Sequence, residues 1–420
     1  MASRGIVKSC QVQLEQALAN VAIADEIRDD DARAIWSARG EVLTTQSSGW
    51  CGKNITSDDT RPPLPRHVFV CVHGIYGKAQ DSDLIAAALT REFGSSALVY
   101  QSTANTHKTH MGIRAMGTNL AIELLDLFHN HCLPELPPHD GEPPMRISFV
   151  GHSLGGIISR YAVVYLQVAF QAYHIHPTSF STLCTPHLGS RRPDGTVGQQ
   201  LWKSAVHGIM SVSLIYGQTG VELLCEDHVK EPLLEAMSKR DSVFMKALKA
   251  FDHRTAVAMI QGDHIVPYAS AAIQAHVTHP CRDLLGPSNC SWQWTLAHSG
   301  FSEPTSKFTT LLHATYGSTR CEVNASSLST SSPASNVIVD ERGEVSISTT
   351  MLAGLNSISW RRLHVHVHYG GPWQWYWLSF HTWPLGIQMP ASSRSSDFID
   401  LFVRMLMDDH KTDAATTTTP

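Results

Sequence analysis

A chain of 420 residues, 43% apolar and 16% charged, holds enough apolar material for one large globular domain or two ordinary ones. Its formal net charge of −5 supplies no basic surface, which argues against nucleic acid or an anionic membrane as electrostatic partners. Its nine cysteines are an odd set without a C-x-x-C pair, several of them inside apolar runs, and read as small hydrophobes of a reducing interior compartment.

The opening M-A-S-R-G-I-V-K-S-C lacks the apolar core of a secretion signal, so the sequons at Asn54, Asn289 and Asn324 carry little weight. The longest apolar run, near residues 157–170, is interrupted by Arg160, and a membrane span is not expected. These readings predict a cytoplasmic protein, at most peripheral at lipid surfaces. Residues 1–60 begin with a mildly amphipathic segment and form a variable N-terminal region, closed by the linker-like R-P-P-L-P at 61–65. The main domain is expected over 61–408.

Within it, V-F-V-C-V (68–72) is a continuous apolar run, as in a parallel strand covered on both faces. Leu84, Ile85, Ala88, Leu89 and Phe93 then mark one helical face. A short strand at 97–100, a helix at about 112–129 and the strand M-R-I-S-F-V follow. The next helix has Leu154, Ile157, Ile158, Tyr161, Val164, Tyr165 and Val168 on its buried side, and P-T-S-F-S-T-L-C-T-P-H reads as another strand ending in a turn. About residues 190–250 the alternation gives way to mainly helical sequence, the expected lid. It resumes with the strand R-T-A-V-A-M-I-Q (254–261) and a helix near 268–277. Residues 286–350, rich in Ser, Thr, Asn and Gly, read as a low-complexity insertion. The strand W-R-R-L-H-V-H-V-H (360–368) and a helix at 397–407 complete the domain, and 409–420 reads as a disordered tail. This alternation predicts a doubly wound, mostly parallel α/β sheet with a helical lid insertion.

The chemistry is concentrated in G-H-S-L-G (151–155), which fits the G-x-S-x-G turn between a strand and a helix. Gly151 and Gly155 leave room for neighbouring backbone, and the Ser153 hydroxyl is lifted to a helix N-terminus that favours negative charge. V-C-V-H-G-I-Y-G (70–77) ends the first strong strand, where the Ile75 N–H joins that of Leu154 to form an oxyanion hole. An orienting acid and a base are expected after the serine, in that order. Asp263, in G-D-H-I-V-P at the carboxyl end of a strand, is the acid; Asp252 lies at the wrong strand end, and Asp241 and Asp283 lack strand context. Among 24 histidines, His381 in W-L-S-F-H-T-W-P-L falls after the last strand and before the closing helix; His298 in A-H-S-G-F is its rival. His364, His366 and His368 alternate on one strand face and read as solvated rather than as metal ligands.

With these residues in view, the chain resembles the eukaryotic lipase-type serine esterases, whose domain is an α/β-hydrolase fold. The likeness rests on H-V-F-V-C-V-H-G-I, G-H-S-L-G-G-I-I-S-R-Y-A, S-T-L-C-T-P-H-L-G-S-R, G-Q-T-G-V-E-L, P-L-L-E-A-M, G-D-H-I-V-P-Y-A-S and the closing W-R-R-L-H-V with F-H-T. It implies Ser153 as nucleophile, Asp263 as acid and His381 as base, with acylglycerols or phospholipids as substrates. No metal or organic cofactor is called for. The apolar stretch L-W-K-S-A-V-H-G-I-M-S-V-S-L-I-Y and the Trp-rich P-W-Q-W-Y-W suit an acyl-chain wall and transient contact with a membrane or lipid-droplet surface, or else ordinary core. A thioesterase or acyltransferase using the same acyl-enzyme, and a non-catalytic adaptor keeping the fold, are the competing readings.

Overall fold

The computed structural model describes residues 66–128, 144–190, 216–228, 231–260, 262–274, 292–299, 347–367, 380–387 and 395–416. The N-terminal region, most of the apolar lid stretch, the Trp-rich loop, Asp283, His368 and the centre of the low-complexity insertion lie outside the described residues.

Chain order runs β1 (His67–Val72), α1 (Asp83–Phe93), β2 (Ala97–Gln101), α2 (Ile113–Leu127), β3 (Met145–His152), α3 (Leu154–Ala172) and β4 (Ile175–Leu183). It continues through short helices α4 (Gly217–Leu223), α5 (Leu233–Ala236) and α6 (Val243–Lys249) to β5 (His253–Met259) and α7 (Tyr268–Ala271). Then come β6 (Trp292–Ser299), α8 (Ile347–Leu355), β7 (Trp360–Val367), a 3-10 turn (Phe380–Leu385) and α9 (Ser395–Thr416). The strands form one sheet in the order β2-β1-β3-β4-β5-β7-β6. All neighbours are parallel except β6, which runs antiparallel to β7 at the edge.

β1 explains why an unbroken apolar run was required. Val68, Val70 and Val72 join the core under α2 and α3, while Phe69 and Cys71 join the core under α1 and α9. From Val68 to Val72 both faces of the strand meet apolar surface. Helix α3 is buried beyond its expected stripe: Ala162, Val163, Leu166 and Ala169 are as inaccessible as Ile157 and Tyr161. α2 packs closely on it: a Cβ on Gly117 would meet the Tyr161 ring carbon Cδ1 at 2.4 Å. Arg160, inside this apolar helix, is also buried and donates to the Met237 carbonyl (3.2 Å) and the Ser238 hydroxyl (2.9 Å). Burial lowers its pKa to about 10. The described part of the lid region is helical, and Leu234, Met237, Phe244 and Leu248 pack into the same core as α3.

Three expectations need correction. The low-complexity insertion carries regular structure at both ends, as β6 and α8. The chain after residue 408 continues α9 to Thr416 instead of forming a tail. Asp409 is buried there and takes both Nη atoms of Arg361 at 2.6 and 2.7 Å plus the Ser179 hydroxyl at 2.8 Å, clamping α9 to the middle of β4 and the amino end of β7. Finally, His364 is fully buried rather than solvated, its Nδ1 2.9 Å from the Tyr268 hydroxyl. Burial drives its pKa down to about 3, so the imidazole is neutral.

Candidate active site

The candidate residues gather at the carboxyl ends of β1, β3, β4 and β5, where a doubly wound sheet opens its crevice. Ser153 follows β3 directly, with φ +52° and ψ −126°, a conformation that strains any residue bearing a Cβ. The surroundings hold it there. The Ser153 N–H donates to the Leu183 carbonyl (2.8 Å), and its own carbonyl accepts from the Thr185 hydroxyl (2.9 Å). The glycines around it are required by close approach: a Cβ on Gly155 would lie 2.2 Å from the Val72 carbonyl oxygen, and one on Gly151 would lie 2.6 Å from Gly156. Because Ser153 is the residue before α3, the Leu154 N–H stands in the first turn, without an intrahelical acceptor.

The loop after β1 closes against this turn. A Cβ on Gly74 would meet the Ser153 Cβ at 2.8 Å, so Gly74 and its neighbour Ile75 sit directly beside the serine. In the same loop the Tyr76 N–H donates to the Thr109 hydroxyl (3.0 Å).

Asp263 and His381, 118 positions apart in sequence, are brought into contact: Asp263 Oδ2 lies 2.8 Å from His381 Nδ1, with both side chains almost wholly buried. Asp263 Oδ1 accepts from the N–H groups of Ile265 and Val266, each at 2.9 Å. Burial alone raises a carboxyl pKa; here the charge and hydrogen bond of His381, with those two N–H donors, outweigh it and the Asp263 pKa is lowered. His381 is fixed to the elbow by His152, whose Nε2 is 2.8 Å from the His381 carbonyl oxygen and whose ring centre is 4.9 Å from that of His381. Burial and the neighbouring His381 lower the His152 pKa to about 3, so His152 donates as a neutral ring. The turn carrying His381 is further tied to the acid loop by the Phe380 N–H, which donates to the Gly262 carbonyl (3.0 Å).

The residues not chosen are elsewhere. His298 pairs in register with Arg361 at the amino end of β7, the far end of the sheet from Ser153. Asp252 precedes β5 and contacts His176. Sequence reasoning missed His152, although it was visible as the residue before the serine, and missed Thr185, whose T-P-H-L-G segment braces the elbow. It also missed Cys184, which stands at φ +52° against Asp263. Cys184, Asp263 and His381 each present one metal-ligand-type atom within 4.8 Å of the others, but Asp263 and His381 are already engaged with each other. Among the described residues no helix is long and apolar enough to cross a membrane.

The "Putative lipase C4A8.10" of Schizosaccharomyces pombe is 30% identical over 223 residues, covering 50% of this chain and 26% of that protein. The "Putative lipase ROG1" of Saccharomyces cerevisiae is 26% identical over 230 residues, covering 52% of this chain and 30% of that protein. The chain thus spans under a third of the length of these curated relatives. Among solved structures, the RedJ thioesterase of the prodiginine pathway of Streptomyces coelicolor aligns over 54% of this chain and 84% of its own, at 14% identity and a TM-score of 0.30. Residues 63–279, from just before β1 to beyond the Asp263 loop and over half the chain, match the family model described as "Putative serine esterase (DUF676)", and the chain belongs to that serine esterase family.

Proposed function

We propose that this chain is a serine ester hydrolase that cleaves acyl esters of lipids, such as acylglycerols or phospholipids, through Ser153, His381 and Asp263. The observation that carries the reading is the 2.8 Å contact between Asp263 Oδ2 and His381 Nδ1, set beside a serine held at φ +52°. Asp263 keeps the His381 proton on Nδ1, so Nε2 takes the Ser153 proton as the oxygen attacks the ester carbonyl. The carbonyl oxygen becomes an oxyanion and accepts from the N–H groups of Ile75 and Leu154. Collapse breaks the bond to the leaving alcohol, which receives the proton from His381 Nε2. A water then gives a proton to Nε2, attacks the acyl-enzyme and releases the carboxylic acid with Ser153 restored.

A lipid substrate is supported by where the exposed apolar residues stand. The large hydrophobics exposed among the described residues are Tyr76 (62%), Leu84 (51%), Met111 (47%) and Ile265 (45%). Each belongs to a loop or helix start at the carboxyl end of the sheet. A rim of this kind is suited to an aggregated, apolar substrate. Fluorophosphonate labelling of the wild type beside Ser153→Ala, His381→Ala and Asp263→Asn tests the triad. Loss of label in Ser153→Ala and strong loss in His381→Ala is expected; label that survives Ser153→Ala overturns the reading. Product analysis with an added alcohol separates hydrolysis from acyl transfer, and predominance of the new ester in excess water would replace hydrolase by transferase.

A further inference from the structure

Cys184 is the residue after β4, and β4 lies beside β5, the strand that leads to Asp263. Its N–H donates to the Val257 carbonyl (2.9 Å), extending the β4–β5 ladder by one residue, and its φ of +52° breaks the extended course of the strand there. The side chain is completely buried. Its sulfur, an Asp263 oxygen and a His381 ring nitrogen all lie within 4.8 Å of one another.

We propose that Cys184 is a positioning residue for the triad, donating its S–H to the Asp263 carboxylate and holding that carboxylate against His381 Nδ1. The inference rests on the assignment of Asp263 and His381 made above. A thiol has one proton to give and the ionised carboxylate none, so the direction of donation is fixed. Burial and the Asp263 charge push the thiol pKa far up, which keeps the proton on sulfur and makes Cys184 neither a nucleophile nor a thiolate. The carboxylate is then held from three sides: by Cys184, by the Ile265 and Val266 N–H groups, and by His381. Without the thiol, the carboxylate keeps more of its charge for the imidazole, favouring the imidazolium and loosening the ring's placement.

The test is the pH profile of kcat/KM on p-nitrophenyl butyrate for wild type, Cys184→Ala and Cys184→Ser, each normalised to fluorophosphonate-titrated sites, with Ser153→Ala as the control for the triad itself. Alanine and serine bear the same Cβ at φ +52°, so backbone strain cancels between them; only serine keeps a donor. Cys184→Ala is expected to lose about three- to tenfold in kcat/KM and to move the acid limb to higher pH, while Cys184→Ser keeps the wild-type limb. An unmoved limb in Cys184→Ala, or identical profiles for alanine and serine, overturns the proposal while leaving the triad standing. Label retained in Ser153→Ala overturns the triad reading instead, and the two failures are distinguishable.

Discussion

Gly262→Ala probes the joint that holds Asp263 and His381 together. Gly262 adjoins Asp263, Phe380 adjoins His381, and a Cβ built on Gly262 would lie 1.9 Å from Phe380 Cδ2 and 2.5 Å from Cε2. Ordinary contact begins at 3.4 Å, so one side must retreat by 1.5 Å. Phe380 is buried among Trp383, Leu385 and Phe398 and has little space for retreat, so the shift falls on the two loops and the 2.8 Å bond between them. A displacement of about 1 Å at a catalytic group lowers turnover by roughly 10²-fold. The φ of +86° adds about 1–3 kcal/mol of strain for alanine. The assay is kcat/KM on a soluble ester per labelled site, with urea unfolding in parallel. Gly262→Ala is expected to lose on the order of 10²-fold in activity. In a Phe380→Ala background, which costs about 3–5 kcal/mol of stability on its own, the ring is gone and Gly262→Ala should cost less than tenfold. Activity of Gly262→Ala within about twofold of wild type, or losses in the double variant that simply multiply, would refute the steric coupling.

Three further outcomes follow from the geometry. Breaking the buried Arg361–Asp409 pair by Asp409→Asn should lower the unfolding free energy by about 3–5 kcal/mol in urea while leaving kcat per labelled site intact; an unchanged midpoint would return residues beyond 408 to the status of a tail. Glu222 of α4 is buried and accepts from the Ile113 N–H at the start of α2; desolvation, with Asp227 nearby, raises its pKa from 4.5 to about 7. A raised acid stabilises the fold fully below pH 4.5 and loses that contribution as pH rises through 7, by roughly 3 kcal/mol at full ionisation, so Glu222→Gln should flatten stability across this window, and parallel curves for the two proteins would contradict the assignment. Replacing Tyr76, Met111 and Ile265 together by serine should lower the ratio of activity on emulsified triacylglycerol to that on p-nitrophenyl butyrate by about tenfold, and an unchanged ratio would count against the apolar rim as a lipid surface.

The sheet and the ends of its strands were legible because they follow from short-range rules. An apolar run such as V-F-V-C-V is typical of a strand covered on both faces, and a serine between glycines, with such a strand before it and an amphipathic helix after it, suits a strained turn. Asp263 and His381 were found by counting strands, since chain order decides which end of the sheet a loop occupies. The features that escaped depend on register, which no local pattern carries. Nothing in D-L-F-V-R-M-L-M-D-D-H marks Asp409 as buried; yet Phe402, Met405 and Leu406 face the core, Asp409 occupies the next inward position of the same helical stripe, and Arg361 from β7 stands opposite. His364 looked solvated because alternating histidines suggest a polar strand face, whereas Tyr268 of α7, far away in sequence, packs against it. Cys184 and Phe380 escaped for the same reason. A thiol beside a carboxylate, and a ring over a glycine, appear only once β4, β5 and the return from β7 are aligned to within one residue. One residue of slip would turn Cys184 to the opposite face and carry Phe380 off Gly262. The identities of the presumed nucleophile, acid and base are thus set locally, whereas the distances between them are set by strand register, and it is the register that the Gly262 and Cys184 variants interrogate.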